Sequence, residues 1–515
     1  MRIDRVAAPV VAAVVAFGLA RTALLPGVAF WDTAELQAVG PLMGTAHPTG
    51  FPTYVILGWV ASVLLQPFGE PALRMNLFAA ISVAVAAGVA VDLVRALTRS
   101  AWIGLAAGLG LALTPQVWAI GTHAEAHALH LALVAFLLRL LVGWESRARP
   151  DDPWAGEAER ARADRWLVAA AAVFALSVGN HSLTLLLAPP IALFVLAVDP
   201  RILRRPRLVL ACAAALLVTL VVVYLELPLR AGPFRAPLVY GQPHTWDGFW
   251  YIVLAEQFRG SLVDPFGNLG GKLADLVDLT VAELGWLAPL VPFGLLVTAT
   301  RRPRYALLTG TAAAITVFFA ASYDNAAIGR YYIGPILFAW TWLAVLAATA
   351  IELAAGRGRL APDSIRQRTA PAGLVATMLA GVILLGPAVV DFGDRARTVD
   401  RSRQDVAARW LDRAVAVLEP NAVVVSWWSY STTLWYGQHV EGRLPGVEII
   451  DDRTRLDREL GSLGDVIDRF LDRRPVYVIR LDDWQEVEQD YVIEMVPMPM
   501  PDSLGRVVGR QEEPS

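Results

Sequence analysis

Apolar runs long enough to cross a bilayer recur along the chain, and they constrain its fold more than any other feature. They lie at roughly 6–29, 72–94, 101–120, 126–143, 208–228, 281–300, 305–322, 331–353 and 372–390. Each is close to the ~17–25 residues that a membrane-crossing helix needs. The stretch 166–198 breaks at Asn180-His181 and is expected to give two short spans joined by a tight turn. A backbone in hydrocarbon must satisfy its own hydrogen bonds, so such runs predict an all-α polytopic domain. Charged residues are 18% of the sequence, too few for a soluble protein of this size. A net charge of −3 without an isolated basic stripe excludes nucleic acid as a partner. The one cysteine, Cys212, sits in an apolar run, which excludes a disulfide scaffold.

The stretch 51–67 is also apolar, but it opens on Phe51-Pro52 and ends at Pro67. Whether it crosses decides the topology, and arginine placement arbitrates. If it does not cross and Met1 is cytoplasmic, five clusters fall on the inner side. These are Arg95 and Arg99; Arg147, Arg149, Arg160, Arg162 and Arg165; Arg201, Arg204, Arg205 and Arg207; Arg301, Arg302 and Arg304; and Arg357, Arg359, Arg366 and Arg368. If it does cross, the two longest arginine-rich loops move outside. The positive-inside rule thus favours about eleven spans, with 51–67 along the outer interface. A cleaved signal peptide is the alternative at the N-terminus, but no small-residue cleavage site follows Leu25.

Charge shifts sharply near Asp391. Residues 391–515 hold 24 acidic and 16 basic side chains, a net of −8, and the preceding residues carry a net positive balance. The shift marks a membrane domain at 1–390 and an extracytoplasmic domain at 391–515. In the latter, helices near 402–418, 431–441 and 463–472 interleave with strands Ala422–Ser426, Val447–Ile450 and Val476–Ile479, a small α/β unit. Lacking any catalytic pair of its own, it is expected to guide the acceptor.

The outer loops hold the residues that could carry chemistry. Asp32 and Glu35 lie three apart just beyond the first span, on one face if the segment is helical. A helix cap is the structural alternative for them. His47-Pro48-Thr49-Gly50-Phe51-Pro52 forms a rigid turn that presents an imidazole, with the phenol of Tyr54 close behind. Arg74 and Asn76 enter the next span at headgroup level, where a guanidinium suits a phosphate. His123 and His127 are spaced i, i+4, but no third ligand is evident and Glu125 would point off their face, so a polar cluster is expected rather than a metal. His181 has a similar standing. Arg230 opens the long outer loop, and Arg330 is either an anchor or a second phosphate ligand.

These residues carry a resemblance. The run DTAELQAVGPLMGTAHPTGFPTYVILG, followed by RMNLF, is similar to the start of a bacterial multi-pass family related to the transmembrane protein O-mannosyltransferases, within the C-type glycosyltransferase fold. Further matches are TPQVWAIGTHAEAHAL, SVGNHSLTLLLAPP, YLELPLRAGP with YGQPHTW, and VVSWWSYSTTLWYGQHVEGRLPGV. The departures are Thr49 for a second proline, Phe51 for tyrosine, His127 where an aromatic is usual, and Ser429 where an acidic residue is frequent.

The resemblance implies a polyprenyl-phosphate sugar donor, a protein or glycan acceptor, and reaction on the outer face of a bacterial plasma membrane. It implies no cofactor beyond that lipid-linked donor, and divalent-metal dependence stays open. A glycosyl phosphodiester carries its own leaving group, so one carboxylate suffices as base while the acceptor hydroxyl attacks with inversion. In that scheme Asp32 is the base and Glu35 orients the acceptor or sugar. His47, Tyr54, Arg74, Asn76, Glu125, His181, Arg230 and Arg330 contact substrate or phosphate. A flippase of lipid-linked sugars is the rival from another class; it would want polar residues at mid-membrane, where these spans are nearly free of charge. A non-enzymatic assembly protein is the third option.

Overall fold

The computed structural model describes residues 3–148, 157–354, 370–479, 484–499 and 504–511. The helical part runs α1 (Ile3–Thr22), α2 (Trp31–Leu42), α3 (Pro52–Leu64), α4 (Pro71–Thr98), α5 (Ala101–Ala112), α6 (Pro115–Ile120), α7 (Ala126–Ala148) and α8 (Glu157–Asn180). It continues through α9 (Ala188–Val198), α10 (Pro206–Tyr224), α11 (Glu226–Ala231), α12 (Trp246–Val253), α13 (Leu269–Leu284), α14 (Val291–Arg301), α15 (Pro303–Ala321) and α16 (Ile333–Ala354). Prolines open α3, α4, α6, α10 and α15, where their missing N–H costs nothing.

The longest helix, α4, is the axis of the bundle and packs against α1, α5, α7 and α16. Its approach to α5 depends on two glycines four apart. A Cβ on Gly104 would lie 2.7 Å from the Val91 carbonyl, and one on Gly108 2.8 Å from that of Ala87. This is the small-residue contact by which helices associate in lipid, where burial alone gives no drive.

Among the described residues, six helices are long and apolar enough to cross a bilayer. A seventh arises where Val375–Val390 continues into Phe392–Val399 across a 52° bend. Shorter apolar helices accompany them at Val6–Thr22, Pro52–Leu64, Ala101–Ala112 and Ser182–Val198. On α10 the side chains of Leu210, Leu217, Val218, Val221 and Val222 stand exposed, an outward face only lipid would cover. The chain is an integral multi-pass membrane protein. Helix α3 is about 20 Å long, short of the ~30 Å hydrocarbon core, and its first turn is buried. The expected span 101–120 is broken into α5 and α6 because Pro115 cannot continue the first helix. At 166–198 the chain turns after Asn180 and resumes in a 3₁₀ segment, Ser182–Leu187, leading into α9. Ion pairs gather at the ends of these helices, with Arg304 3.1 Å from Glu145 and Arg205 2.6 Å from Asp164. Arg149, Arg357, Arg359, Arg366 and Arg368 lie outside the described residues.

After Phe392–Val399 the C-terminal part folds as a five-stranded sheet: β1 (Val423–Val425), β2 (Glu448–Ile450), β3 (Val476–Val478), β4 (Tyr491–Val496) and β5 (Leu504–Arg510). The order is β2-β1-β3-β5-β4; β1 is parallel to β2 and β3, and β5 is antiparallel to β3 and β4. The last two strands were not expected. Glu494 and Met495 in β4 and Val508 in β5 face outward, so neither strand carries an uninterrupted apolar run. The helix expected near 431–441 starts earlier, at Trp428, and ends at Trp435 in a π turn, Tyr436–Val440.

The charge boundary at Asp391 is not a boundary of the core. Val28, Ala34, Leu36 and Val39 around α2 share one cluster with Trp410, Tyr430, Leu434 and Ile449 of the C-terminal part. Phe30 lies edge-on to Trp410 and Tyr430, with ring centroids 5.9 and 5.3 Å away. The C-terminal ends of β1 and β2 abut loops of the helical bundle, the end where a parallel sheet offers side chains to a ligand.

Candidate active site

Helix α2 starts abruptly. Phe30 is extended, Trp31 takes a left-handed φ of 60°, and Asp32 lies in the first turn without capping it. The Asp32 carboxylate instead accepts a hydrogen bond from the indole N–H of Trp428, 2.8 Å away. Trp428 follows β1 directly, so the C-terminal sheet delivers it. One turn further along α2, Glu35 is buried at 2% exposure. It accepts the backbone N–H of His47 at 2.8 Å and pairs with the His47 ring through Nδ1.

That contact fixes the turn. Gly50 donates to the His47 carbonyl at 2.7 Å and holds a φ of 81°, and a Cβ there would meet Ile252 at 2.9 Å. Any other residue at this position would be strained twice over. Burial opposes a charge on His47, but Glu35 and, less strongly, Asp32 outweigh it and push its pKa up to about 9. His47 is therefore a cation at neutral pH.

Across the site, Glu125 precedes α7 and lies 3.0 Å from Arg330 and 2.8 Å from Nδ1 of His127. Burial alone would raise its pKa; Arg330 first and His127 next hold it well below the carboxylate range. His123 approaches the same carboxylate at 3.9 Å from the other side. Burial, with Arg401 nearby, keeps its pKa down at about 3, so it stays neutral. Glu125 thus sits between the two histidines rather than off their face. The expectation failed because residues 123–125 are not helical and α7 begins only at Ala126. His181 stacks obliquely on His127, with centroids 4.6 Å apart.

Asp32, His47, Glu125, His127, His181, Arg330 and Trp428 line one cavity of about 630 Å³. Most of its remaining wall is apolar or aromatic, with Leu185, Leu254, Phe258, Leu262, Phe319 and Tyr331, while Gln257, Arg259 and Asn325 add polar groups. Among the described residues, no group of three or more His, Cys, Asp or Glu side chains is disposed to hold a metal ion.

Five expected site residues lie elsewhere or act indirectly. Glu35 does not line this cavity; it holds His47 from behind. Arg74 is spent on the carbonyls of Gly69 and Ser62, at 2.6 and 3.2 Å, closing the corner between α3 and α4. Arg230 donates to Met43 and Leu42 at 2.7 and 3.1 Å, satisfying the last carbonyls of α2. Asn76 is a buried junction: it donates to Leu25 at 2.9 Å and accepts from Gln37 at 2.9 Å and Ala124 at 2.8 Å. Tyr54 is wholly buried beside Phe78. Trp428, Tyr240 and Gln257 are among the cavity residues that escaped the sequence reading. The double tryptophan after β1 and the YGQPHTW stretch were the available signals for the first two.

Residues 32–201 match the family described as the protein O-mannosyl-transferase TMEM260 N-terminal domain. The protein O-mannosyl-transferase TMEM260 of Mus musculus is 30% identical over 262 residues, which are 48% of this chain and 33% of the mouse protein. The chain thus spans about a third of that curated relative. Among solved structures, ArnT from Cupriavidus metallidurans bound to undecaprenyl phosphate superposes with a TM-score of 0.62 at 16% identity, covering 97% of each chain. The Archaeoglobus fulgidus oligosaccharyltransferase tethered to an acceptor peptide gives 0.55 at 14% identity, covering 98% of this chain and 74% of the other. The fold is that of C-type glycosyltransferases. The matched stretch, residues 32–201, contributes Asp32, His47, Glu125 and His181 to the cavity, while Arg330 and Trp428 come from beyond it.

Proposed function

We propose that this chain is a membrane glycosyltransferase that moves mannose from a polyprenyl-phosphate carrier to a hydroxyl of a protein or glycan, with inversion. The reaction takes place on the extracytoplasmic face of a bacterial plasma membrane, with the C-terminal part on that side. The observation that carries this reading is one cavity lined by two carboxylates, Asp32 and Glu125, and three cations, His47, Arg259 and Arg330, beside a largely apolar wall. A phosphate-linked isoprenoid needs the cations and the apolar wall together. The name of the mouse relative and the undecaprenyl phosphate bound to ArnT point the same way.

In this mechanism the acceptor oxygen attacks the anomeric carbon while its proton passes to Asp32. Trp428 occupies one carboxylate oxygen, Oδ1, leaving Oδ2 for the acceptor. The bond from the anomeric carbon to the phosphate oxygen breaks, and polyprenyl phosphate departs with the electron pair. Arg330 and protonated His47 stabilise the charge that develops there. No protein acid is required, because the phosphate is a competent leaving group. Purified protein given radiolabelled polyprenyl-phosphate mannose and an acceptor should form labelled product. Label that only crosses vesicle membranes, with no product, would instead identify a flippase.

A further inference from the structure

A second cavity, about 510 Å³, runs between the free edge of β2 and the outer-loop segment 235–241. Strand β2 pairs on one side only, with β1. Glu448 donates to the Ala422 carbonyl, and the Ile450 carbonyl accepts from Ser426. Residues 448 and 450 therefore turn their backbone polar groups toward β1, and Ile449 turns its N–H and C=O outward, into the groove. Val447 faces the same way, but its carbonyl is already taken by the Gln438 amide at 2.5 Å. Among the described residues, neither backbone group of Ile449 has a partner. A backbone pair left open at a sheet edge is a template for one more strand.

Four arginines, at 235, 453, 458 and 474, and four carboxylates, at 35, 448, 451 and 457, line this groove, so its charges balance in number. Arg458 and Arg474 both close on Glu448, at 2.9 and 2.5 Å, and Arg453 closes on Asp457 at 2.5 Å. Such a lining selects neither an anion nor a cation and suits a neutral polar backbone. The groove also ends against the first cavity. Tyr240 lines both, its ring 5.8 Å from that of Trp428, and Glu35 lines the groove while its partner His47 lines the donor side.

We propose that this groove is the acceptor subsite and that the acceptor is an extended polypeptide, held by strand addition on Ile449. The inference rests on the glycosyltransferase reading above and narrows its acceptor to a peptide whose hydroxyl side chain reaches past Tyr240 toward Asp32.

The test uses the full chain and serine- or threonine-bearing peptides of extended sequence. Ile449→Pro removes the outward N–H without touching the ladder to β1, since proline is tolerated where that group faces away from the sheet. Ile449→Val trims the side chain and keeps the N–H. Peptide Kd by fluorescence anisotropy, and KM for transfer, should rise about tenfold in Ile449→Pro and little in Ile449→Val. Turnover at saturating peptide and donor Kd should be unchanged in both. A peptide in which the paired amide is replaced by an ester loses the other hydrogen bond and should weaken by a similar factor with wild type. If Ile449→Pro does not fold, that ester scan decides alone. A flat ester scan, or equal losses in the two variants, would overturn the groove. Wild type that binds the peptide with this signature but transfers nothing would overturn the glycosyltransferase reading and leave the peptide groove standing.

Discussion

The indole N–H of Trp428 reaches the carboxylate of Asp32 at 2.8 Å, across 396 residues of sequence. The contact makes the C-terminal sheet part of the candidate site, since β1 ends just before Trp428 and its helix packs on α2. Trp428→Phe keeps the ring against Tyr240 and removes only the donor. Turnover should fall about tenfold, the scale of one hydrogen bond to a charged group, with donor affinity within about twofold. Unchanged turnover in a folded variant would reduce the contact to packing.

The Glu35–His47 pair predicts a pH signature. Because the folded protein lifts His47 from 6.5 to about 9, the stabilisation is complete below 6.5 and is lost as pH rises through 9. The melting temperature of the detergent-solubilised protein should therefore fall across that window. Glu35→Gln should melt lower than wild type at neutral pH and lose the slope. A wild-type melting curve independent of pH over that range would contradict the ion pair.

Arginines that looked alike in the sequence should separate by experiment. Arg330→Gln removes a cavity cation and leaves Glu125 buried without its main counter-charge, so donor affinity should weaken about 10–100-fold. Arg74→Gln and Arg230→Gln should lower stability by about 1–3 kcal/mol, because each strands backbone carbonyls, while donor affinity in the folded fraction stays near wild type. Equal losses of donor affinity in all three would argue against the placement of the phosphate beside Arg330.

Sequence legibility tracked distance along the chain. The spans could be read because length and apolarity are local, and Asp32, Glu35 and His47 because they lie within sixteen residues of one another. Arg74, Asn76 and Arg230 were misassigned for a physical reason. A polar side chain at a membrane boundary has the same sequence signature whether it serves a ligand or a helix carbonyl, and here all three serve backbone. Trp428 could not be placed because its partner is at the other end of the chain. The closing strands β4 and β5 were missed because each exposes polar or apolar side chains in no strict alternation.

The topology expected from arginine placement is directly measurable. In a Cys212→Ala background, Leu203→Cys lies in the exposed arginine-rich link between α9 and α10, and His244→Cys lies in the exposed loop before α12. In intact cells an impermeant thiol reagent should label position 244 and spare 203. Labelling at 203 would mean that α3 crosses the membrane and that the outer and inner faces are exchanged.

Asp32→Asn tests the central claim most directly. The substitution preserves size and can still accept from Trp428, but it cannot take a proton at neutral pH. Transfer rate and donor affinity should be measured together on protein shown to insert and fold. A catalytic base predicts a rate loss of about 10²–10⁴ with donor affinity roughly kept. Turnover near wild type by Asp32→Asn would contradict the mechanism.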